Sequence, residues 1–280
     1  MPQSMVECSV LERVKPNEVI TDPFPHLVVT EALDRGLCDR LVQEFPSMAL
    51  VTDGAPYGSN QRFSYPTLKA QRNPATSQLW RDFLTYHVSQ SFLDEAMTVF
   101  GRHILSEYPN FTGEIGDIRA LRMGQAHVDT FDTCDVLMDM ALSVNTPVTT
   151  RPTSVRAAHV DLSDKLISGL FYLRHPDDDS EGGDLELFRF RDDRFRFDGY
   201  QVSDKYVERV ATVPYRANTL VMFVNSPRSL HGVSVRSLGK YPRMFLYFFC
   251  KVKKPMFDLR DRQKSLVYKA YRRYVLRRQY

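Results

Sequence analysis

Residues 165–249 form a series of short strand-forming segments separated by turn signals, and this limits what the chain can fold into more than any other feature. Residues 165–174 (KLISGLFYLR) are an apolar run rich in strand formers. A polar turn with Asp177, Asp178, Asp179, Gly182 and Gly183 follows, and 184–190 (DLELFRF) alternates with period two. Residues 207–213 are another strand candidate, 219–224 (TLVMFV) follow the Ala217-Asn218 turn, and 243–249 (RMFLYFF) close the series. Strands this short, at this spacing, read as an antiparallel sandwich or barrel.

A chemical pattern is laid over these strands. His159-Val-Asp161 stands just before them, His231 lies 72 residues after His159, and Arg243 lies 12 residues further on. Residues two apart in an extended segment point to the same face. His159 and Asp161 therefore offer an imidazole and a carboxylate together, and His231 closes the site from another strand. Two imidazoles and one carboxylate on one face of a metal leave about half of an octahedral shell open, which is how Fe(II) is held ready for oxygen. A second HVD occurs at 127–129, but its flanks (MGQA and TFDTCD) do not make a buried strand. His127 and Asp129 read as part of a loop or short strand. Arg236 is a rival basic residue to Arg243, set in a Ser-Val-Arg-Ser-Leu-Gly turn where an exposed arginine is expected. Aspartates 177–179 read as a solvated turn, and their spacing does not match a calcium loop. Gly182-Gly183 is a two-glycine turn and not a phosphate loop, and no Ser-His-Asp or Cys-His set competes.

The ordered set HVD, GGDLEL, NTLVMF, LHGV and the later arginine resembles the Fe(II)/2-oxoglutarate-dependent oxygenase superfamily, in its prolyl-4-hydroxylase-like branch. The opening DPFPHLVV…ALDRGLCDRLVQEFP is similar to that of many bacterial members, so the likeness spans most of the chain. The resemblance implies a mainly β fold: a double-stranded β-helix (jelly-roll) core at 111–254, a flanking N-terminal strand and helix region at 1–110, and a basic C-terminal helix at 255–280. It implies His159, Asp161 and His231 as ligands of Fe(II). It implies Arg243 as the partner of the distal carboxylate of 2-oxoglutarate, a role that suits the planar guanidinium fork. Many relatives carry Ser or Thr two residues beyond that arginine, whereas this chain has Phe245, so Tyr172 is the candidate for the second contact. Asp161 stands where halogenating relatives have a small residue, which favours hydroxylation, desaturation or ring formation over halogenation. The implied enzyme is a dioxygenase that uses O2 and 2-oxoglutarate, releases succinate and carbon dioxide, and hydroxylates an unactivated C–H of a small molecule, amino-acid derivative or peptide. Two other readings stay open, an oxygenase acting on a macromolecule docked by a basic tail and a non-catalytic binding barrel.

With 280 residues, 43% hydrophobic and 12% aromatic, the chain can build one large β-core with helical flanks. No stretch approaches the roughly 20 apolar residues of a membrane span. No basic start followed by an apolar run marks a secretory signal, and Cys8, Cys38, Cys134 and Cys250 are scattered without metal spacing, so a reducing cytoplasm is the expected location. Toward the N-terminus, Thr30 caps a helix carrying Leu33, Leu37, Leu41 and Phe45, which Pro46 stops. Residues 51–76 read as an extended loop and 77–104 as one long amphipathic helix, with Trp80 in the core. Arg151 and Arg156 precede the first ligand and are candidates to receive a carboxylate or phosphate of the substrate. From residue 251 to the end there are 11 Lys/Arg against 2 Asp, against 26 and 32 in the rest. This basic tail reads as a helix packed on the acidic body or a second subunit, or bound to an anionic partner. Nucleic acid is not expected as the substrate, because the basic and aromatic residues are mostly confined to the tail.

Overall fold

Residues 9–192 and 194–259 are described, in a computed structural model. The strands are β1 (His26–Thr30), β2 (Arg62–Tyr65), β3 (Met123–Gln125), β4 (Val136–Asn145), β5 (Lys165–Tyr172), β6 (Leu185–Phe190), β7 (Val207–Val213), β8 (Thr219–Val224), β9 (His231–Val233) and β10 (Arg243–Val252). The helices are α1 (Arg35–Gln43), α2 (Met48–Val51), α3 (Thr67–Arg72), α4 (Gln78–His87), α5 (Gln90–Glu107) and α6 (Phe111–Glu114). Seven strands form one sheet in the order β1-β8-β5-β10-β4-β2, with β3 parallel to β4 and every other pair antiparallel. The other three form an antiparallel sheet in the order β7-β6-β9.

Period-two alternation divides the large sheet into two faces. From β10, Met244, Leu246, Phe248, Cys250 and Val252 join the main core, which also holds Trp80, Phe83, Phe92 and Phe100 of the helices. Each such side chain contributes about 1.5–3 kcal/mol on burial, so this helix-facing layer carries most of the hydrophobic stabilisation. The alternate residues point the other way. Tyr172, Phe223 and Phe245 pack in a second cluster with Leu185 and Leu187 of β6 and Val213 of β7, so the two sheets face one another.

Tertiary context corrects several sequence expectations. The expected long helix at 77–104 is two helices: Val88 leaves helical geometry (φ −118°, ψ 44°), and Ser89 restarts it by accepting from Phe92 N–H at 3.4 Å. The apolar spacing runs through this break, and only the cap marks it. Residues 51–76 are not an extended loop, since they contain β2 and α3. A four-residue strand shows little periodicity, and β2 takes its shape from pairing with β4. Helix α1 is capped by Asp34, which accepts from Leu37 N–H at 3.1 Å, and not by Thr30, the last residue of β1. Strand β4 shows no alternation because all but one of its residues are buried. Trp80 is fully buried, as expected, with Nε1–H donating to the Leu41 carbonyl at 3.2 Å. The expected basic C-terminal helix falls largely at 260–280, outside the described residues. No helix among the described residues is long and apolar enough to cross a membrane.

His87 carries a pH-dependent part of the stability. Its Nδ1–H donates to the Phe83 carbonyl at 2.7 Å and its Nε2 accepts from Val10 N–H at 3.2 Å, so the bonding uses the neutral ring. Burial pushes its pKa down from 6.5 to about 4, against a smaller opposing effect of the Phe83 bond. The unfolded chain therefore takes up a proton that the folded chain refuses between those values. Stability is full above pH 6.5 and falls toward pH 4, with this histidine contributing a slope of at most about 1.4 kcal/mol per pH unit. Urea unfolding at pH 7 and pH 5 is expected to show a smaller loss in His87→Gln than in wild type. Equal losses would assign the slope to other groups.

Candidate metal centre

His159 and His231 are backbone partners. Each donates its N–H to the other's carbonyl at 2.9 Å, which brings the two imidazole centroids to 4.3 Å. The far side of the first segment is held by Val160 N–H to Tyr200 O (3.0 Å) and Val202 N–H to Ala158 O (2.9 Å). Each ring is then aimed by the same device: Nδ1 of His159 donates to Ala157 O, and Nδ1 of His231 to Ser229 O, both at 2.9 Å. A carbonyl only accepts, so the proton of the neutral ring is fixed on Nδ1 and the Nε2 lone pair is left for a metal.

Asp161 completes the group. Its Oδ2 accepts from Ser168 Oγ–H at 2.5 Å and from the Tyr247 hydroxyl at 2.9 Å, with Lys165 Nζ at 3.6 Å. Lys165 also donates to the Tyr247 hydroxyl, so one chain of groups fixes one carboxylate oxygen. Oδ1 accepts no hydrogen bond from a described residue. One ligand atom from each of His159, Asp161 and His231 lies within 4.8 Å of the other two, close enough for a single ion.

Charge states suit that use. Burial lowers the pKa of both histidines, and His231 and Arg156 lower that of His159 further, so both rings stay in the neutral, ligating form. Burial pushes the Asp161 carboxyl up, but the Lys165 ammonium, helped by the Ser168 hydrogen bond, outweighs it and holds the carboxyl well below the usual carboxylate range. Burial, reinforced by the charge of Asp161, pushes the Tyr247 hydroxyl up and keeps it a donor.

Beside this group lies an unfinished one. Arg243 is 2% exposed, and its Nε donates to Gly183 O at 2.6 Å. Its guanidinium carbon sits 4.8 Å from the centre of the Phe245 ring, 4.9 Å from Tyr172 and 5.0 Å from Tyr215, so aromatic faces offset its burial. Arg243 Nη2, the Tyr172 hydroxyl and Asn145 Nδ2 are buried without a hydrogen-bond partner. Buried polar groups are nearly always paired, so three adjacent orphans mark the place of an absent acceptor. The donor set suits a carboxylate. Gly182 and Gly183 make the turn possible: both have φ of +75°, and a Cβ on Gly182 would fall 1.9 Å from Val235 O. A cavity of about 160 Å³ joins the two groups, and Arg62, Arg156, Phe223 and Leu185 are among its other walls.

The structure thus brings together His159, Asp161, His231, Arg243, Tyr172 and Arg156, while Arg151 is exposed and outside the cavity lining. His127 is exposed in a turn at φ +68°. Arg236 is not the exposed turn residue expected, and Asp178 is not solvated. They form a buried pair at 3.0 Å, and Arg236 also donates to Ser180 Oγ at 2.9 Å. Residues 181–184 fold back on 234–237 through backbone bonds, which closes the pair off from water. Sequence reasoning missed Arg62, Asn145, Lys165, Ser168 and Tyr247. Tyr247 had a signal, since it lies four residues after Arg243 on the same strand face.

No protein-family model matches the sequence, and no curated protein is significantly similar to it. Solved structures similar to this chain include prolyl-4-hydroxylases and 2-oxoglutarate–Fe(II) oxygenases. A Pseudomonas putida prolyl-4-hydroxylase is 14% identical, with 82% of this chain and 93% of that one covered at a TM-score of 0.41. A prolyl 4-hydroxylase from Phytophthora capsici is 14% identical, with 98% and 74% covered at a TM-score of 0.46. The non-heme alpha-ketoglutarate-dependent epimerase SnoN from nogalamycin biosynthesis is 13% identical, with 91% and 89% covered at a TM-score of 0.48.

Proposed function

We propose that this chain is an Fe(II)- and 2-oxoglutarate-dependent dioxygenase of the hydroxylase type, with His159, Asp161 and His231 holding the metal. One observation carries the reading: two histidines and an aspartate close enough for one ion stand beside a buried arginine whose free nitrogen has no partner. Arg243, with Tyr172 and Asn145, would receive the distal carboxylate of 2-oxoglutarate. The facing sheets would be the two halves of a double-stranded β-helix.

When bound, iron(II) with 2-oxoglutarate and O2 supplies the oxidising power, and the co-substrate leaves as succinate and carbon dioxide. The chain's residues do the positioning. Ala157 O and Ser229 O hold the two imidazoles with Nε2 forward. Ser168 and Tyr247 occupy Oδ2 of Asp161, so Oδ1 would be the oxygen left to hold the metal. Leu170, Leu185, Phe223 and Phe245 line the cavity and exclude water from it. A small molecule, an amino-acid derivative or a peptide is the substrate this reading expects.

Anaerobic addition of Fe(II) and then 2-oxoglutarate to the metal-free protein is expected to produce a weak visible charge-transfer band, saturating at one metal per chain. Admission of oxygen is expected to yield succinate. A wild-type protein that binds neither Fe(II) nor 2-oxoglutarate would end this reading.

A further inference from the structure

Arg62 was brought to the cavity by a strand that the sequence did not announce. In the large sheet Arg62 of β2 pairs with Asn145 of β4, and Asn145 pairs with Arg243 of β10. The three residues form one row across adjacent strands. With strands about 4.8 Å apart, the two arginine backbones are separated by roughly 10 Å. The Arg62 guanidinium lies over the Tyr247 ring at 4.8 Å and 5.4 Å from the Phe245 centre, on the cavity side of β10. Arg156 approaches from the other sheet, where its carbonyl accepts from Val233 N–H of β9 at 2.9 Å. Both line the cavity.

Neither guanidinium has a hydrogen bond or an ion pair with any described residue. Other arginines of this protein do: Arg122, Arg189, Arg196 and Arg209 each hold a carboxylate. Among the described residues Asp161 is the one acid lining the cavity, and it is committed to Lys165, Ser168, Tyr247 and the metal position. With Fe(II) and the 2-oxoglutarate dianion in place, their charges cancel, as do those of Asp161 and Lys165. Arg243 holds the co-substrate's distal carboxylate, so the site already carries one positive charge in excess. Arg62 and Arg156 add two more, and no described acid is paired with either. Arg62 and Arg156 are both open to solvent at the cavity rim. Desolvation of the inner part of Arg62 disfavours its charge, Tyr247 and Asp161 oppose that, and Arg243 and Arg156 add to it, so an anion between Arg62 and Arg156 relieves the repulsion of that pair.

We propose that the substrate is an anion whose carboxylate or phosphate is gripped by Arg62 and Arg156 at the cavity mouth. The inference rests on the proposed Fe(II)/2-oxoglutarate reading. Size sets the position, because about 160 Å³ is below the roughly 300–1,000 Å³ of ordinary ligand pockets. The co-substrate fills the inner part, and the substrate lies across the rim with its anionic end between the two arginines and its reacting end toward the metal.

Calorimetry on anaerobic protein loaded with Fe(II) and 2-oxoglutarate tests this, with phenyl phosphate, benzoate and benzyl alcohol as probes. The visible band of the same samples reports loading. Binding of one or both anions is expected, with no measurable binding of benzyl alcohol. The stronger of phosphate and carboxylate names the group recognised. Arg62→Gln and Arg156→Gln are each expected to weaken the anion about tenfold or more while the band still forms at saturating Fe(II) and 2-oxoglutarate. Anion affinity that is absent, equal in wild type and both variants, or won by displacing 2-oxoglutarate overturns the proposal. A missing band in wild type brings down the dioxygenase reading itself, and this inference with it.

Discussion

His159→Ala and His231→Ala are each expected to abolish the charge-transfer band at Fe(II) and 2-oxoglutarate concentrations that saturate wild type. Removing either imidazole leaves one nitrogen and one carboxylate, too few to hold Fe(II) against water. The backbone bonds between positions 159 and 231 survive either change, so the fold is expected to persist, and circular dichroism checks that. Arg243→Ala should behave differently. It keeps all three metal ligands, so the metal still binds, but the distal carboxylate loses charge-assisted hydrogen bonds worth roughly 1.5–3 kcal/mol each, and the 2-oxoglutarate requirement rises about tenfold to a hundredfold or more. Tyr247→Phe and Ser168→Ala fall between, because each removes one donor from Oδ2 of Asp161, and such supporting contacts are worth about 10- to 100-fold in metal affinity. Unchanged metal binding in both histidine variants would place the metal elsewhere and remove the basis of the proposed activity.

The largest expected loss of stability comes from a residue outside the cavity. Asp178→Ala leaves Arg236 buried with its charge unanswered, where Nη1 already lacks a partner. Breaking one member of a buried pair costs about 3–5 kcal/mol, and urea unfolding should show a shift of that size. The same change should raise the 2-oxoglutarate requirement. Asp178 and Ser180 anchor the turn whose Gly183 carbonyl holds Arg243 Nε. Adding Arg236→Met is expected to recover much of the stability, since the lone buried charge is then gone. A change in the single variant within about 0.5 kcal/mol, the range of ordinary surface substitutions, would mean that water reaches the pair.

The sequence alone determined the chemical alphabet of the site. Coordination chemistry admits few residue types, and the two-residue period puts His159 and Asp161 on one face, so HxD, the distant His231 and Arg243 were legible without coordinates. Strand β6 was legible by its alternation, and β5, β8 and β10 as short apolar runs bounded by turn signals, although β5 and β8 are buried throughout. Strand β4 was hidden, since burial on both faces erases alternation and the buried Asp139, Ser143 and Asn145 break up its apolar run. Strand β2 was hidden by its shortness, and with it Arg62. Tertiary structure alone decided which of several similar residues does what. His127 and His159 share the same tripeptide, yet one lies in an exposed turn and the other opposite His231. Arg236 and Arg243 are both buried, yet Asp178 neutralises the first and no acid among the described residues pairs with the second. Local pattern fixes residue type and facing, whereas charge partners come from segments far apart in sequence that only the packing of the two sheets brings together.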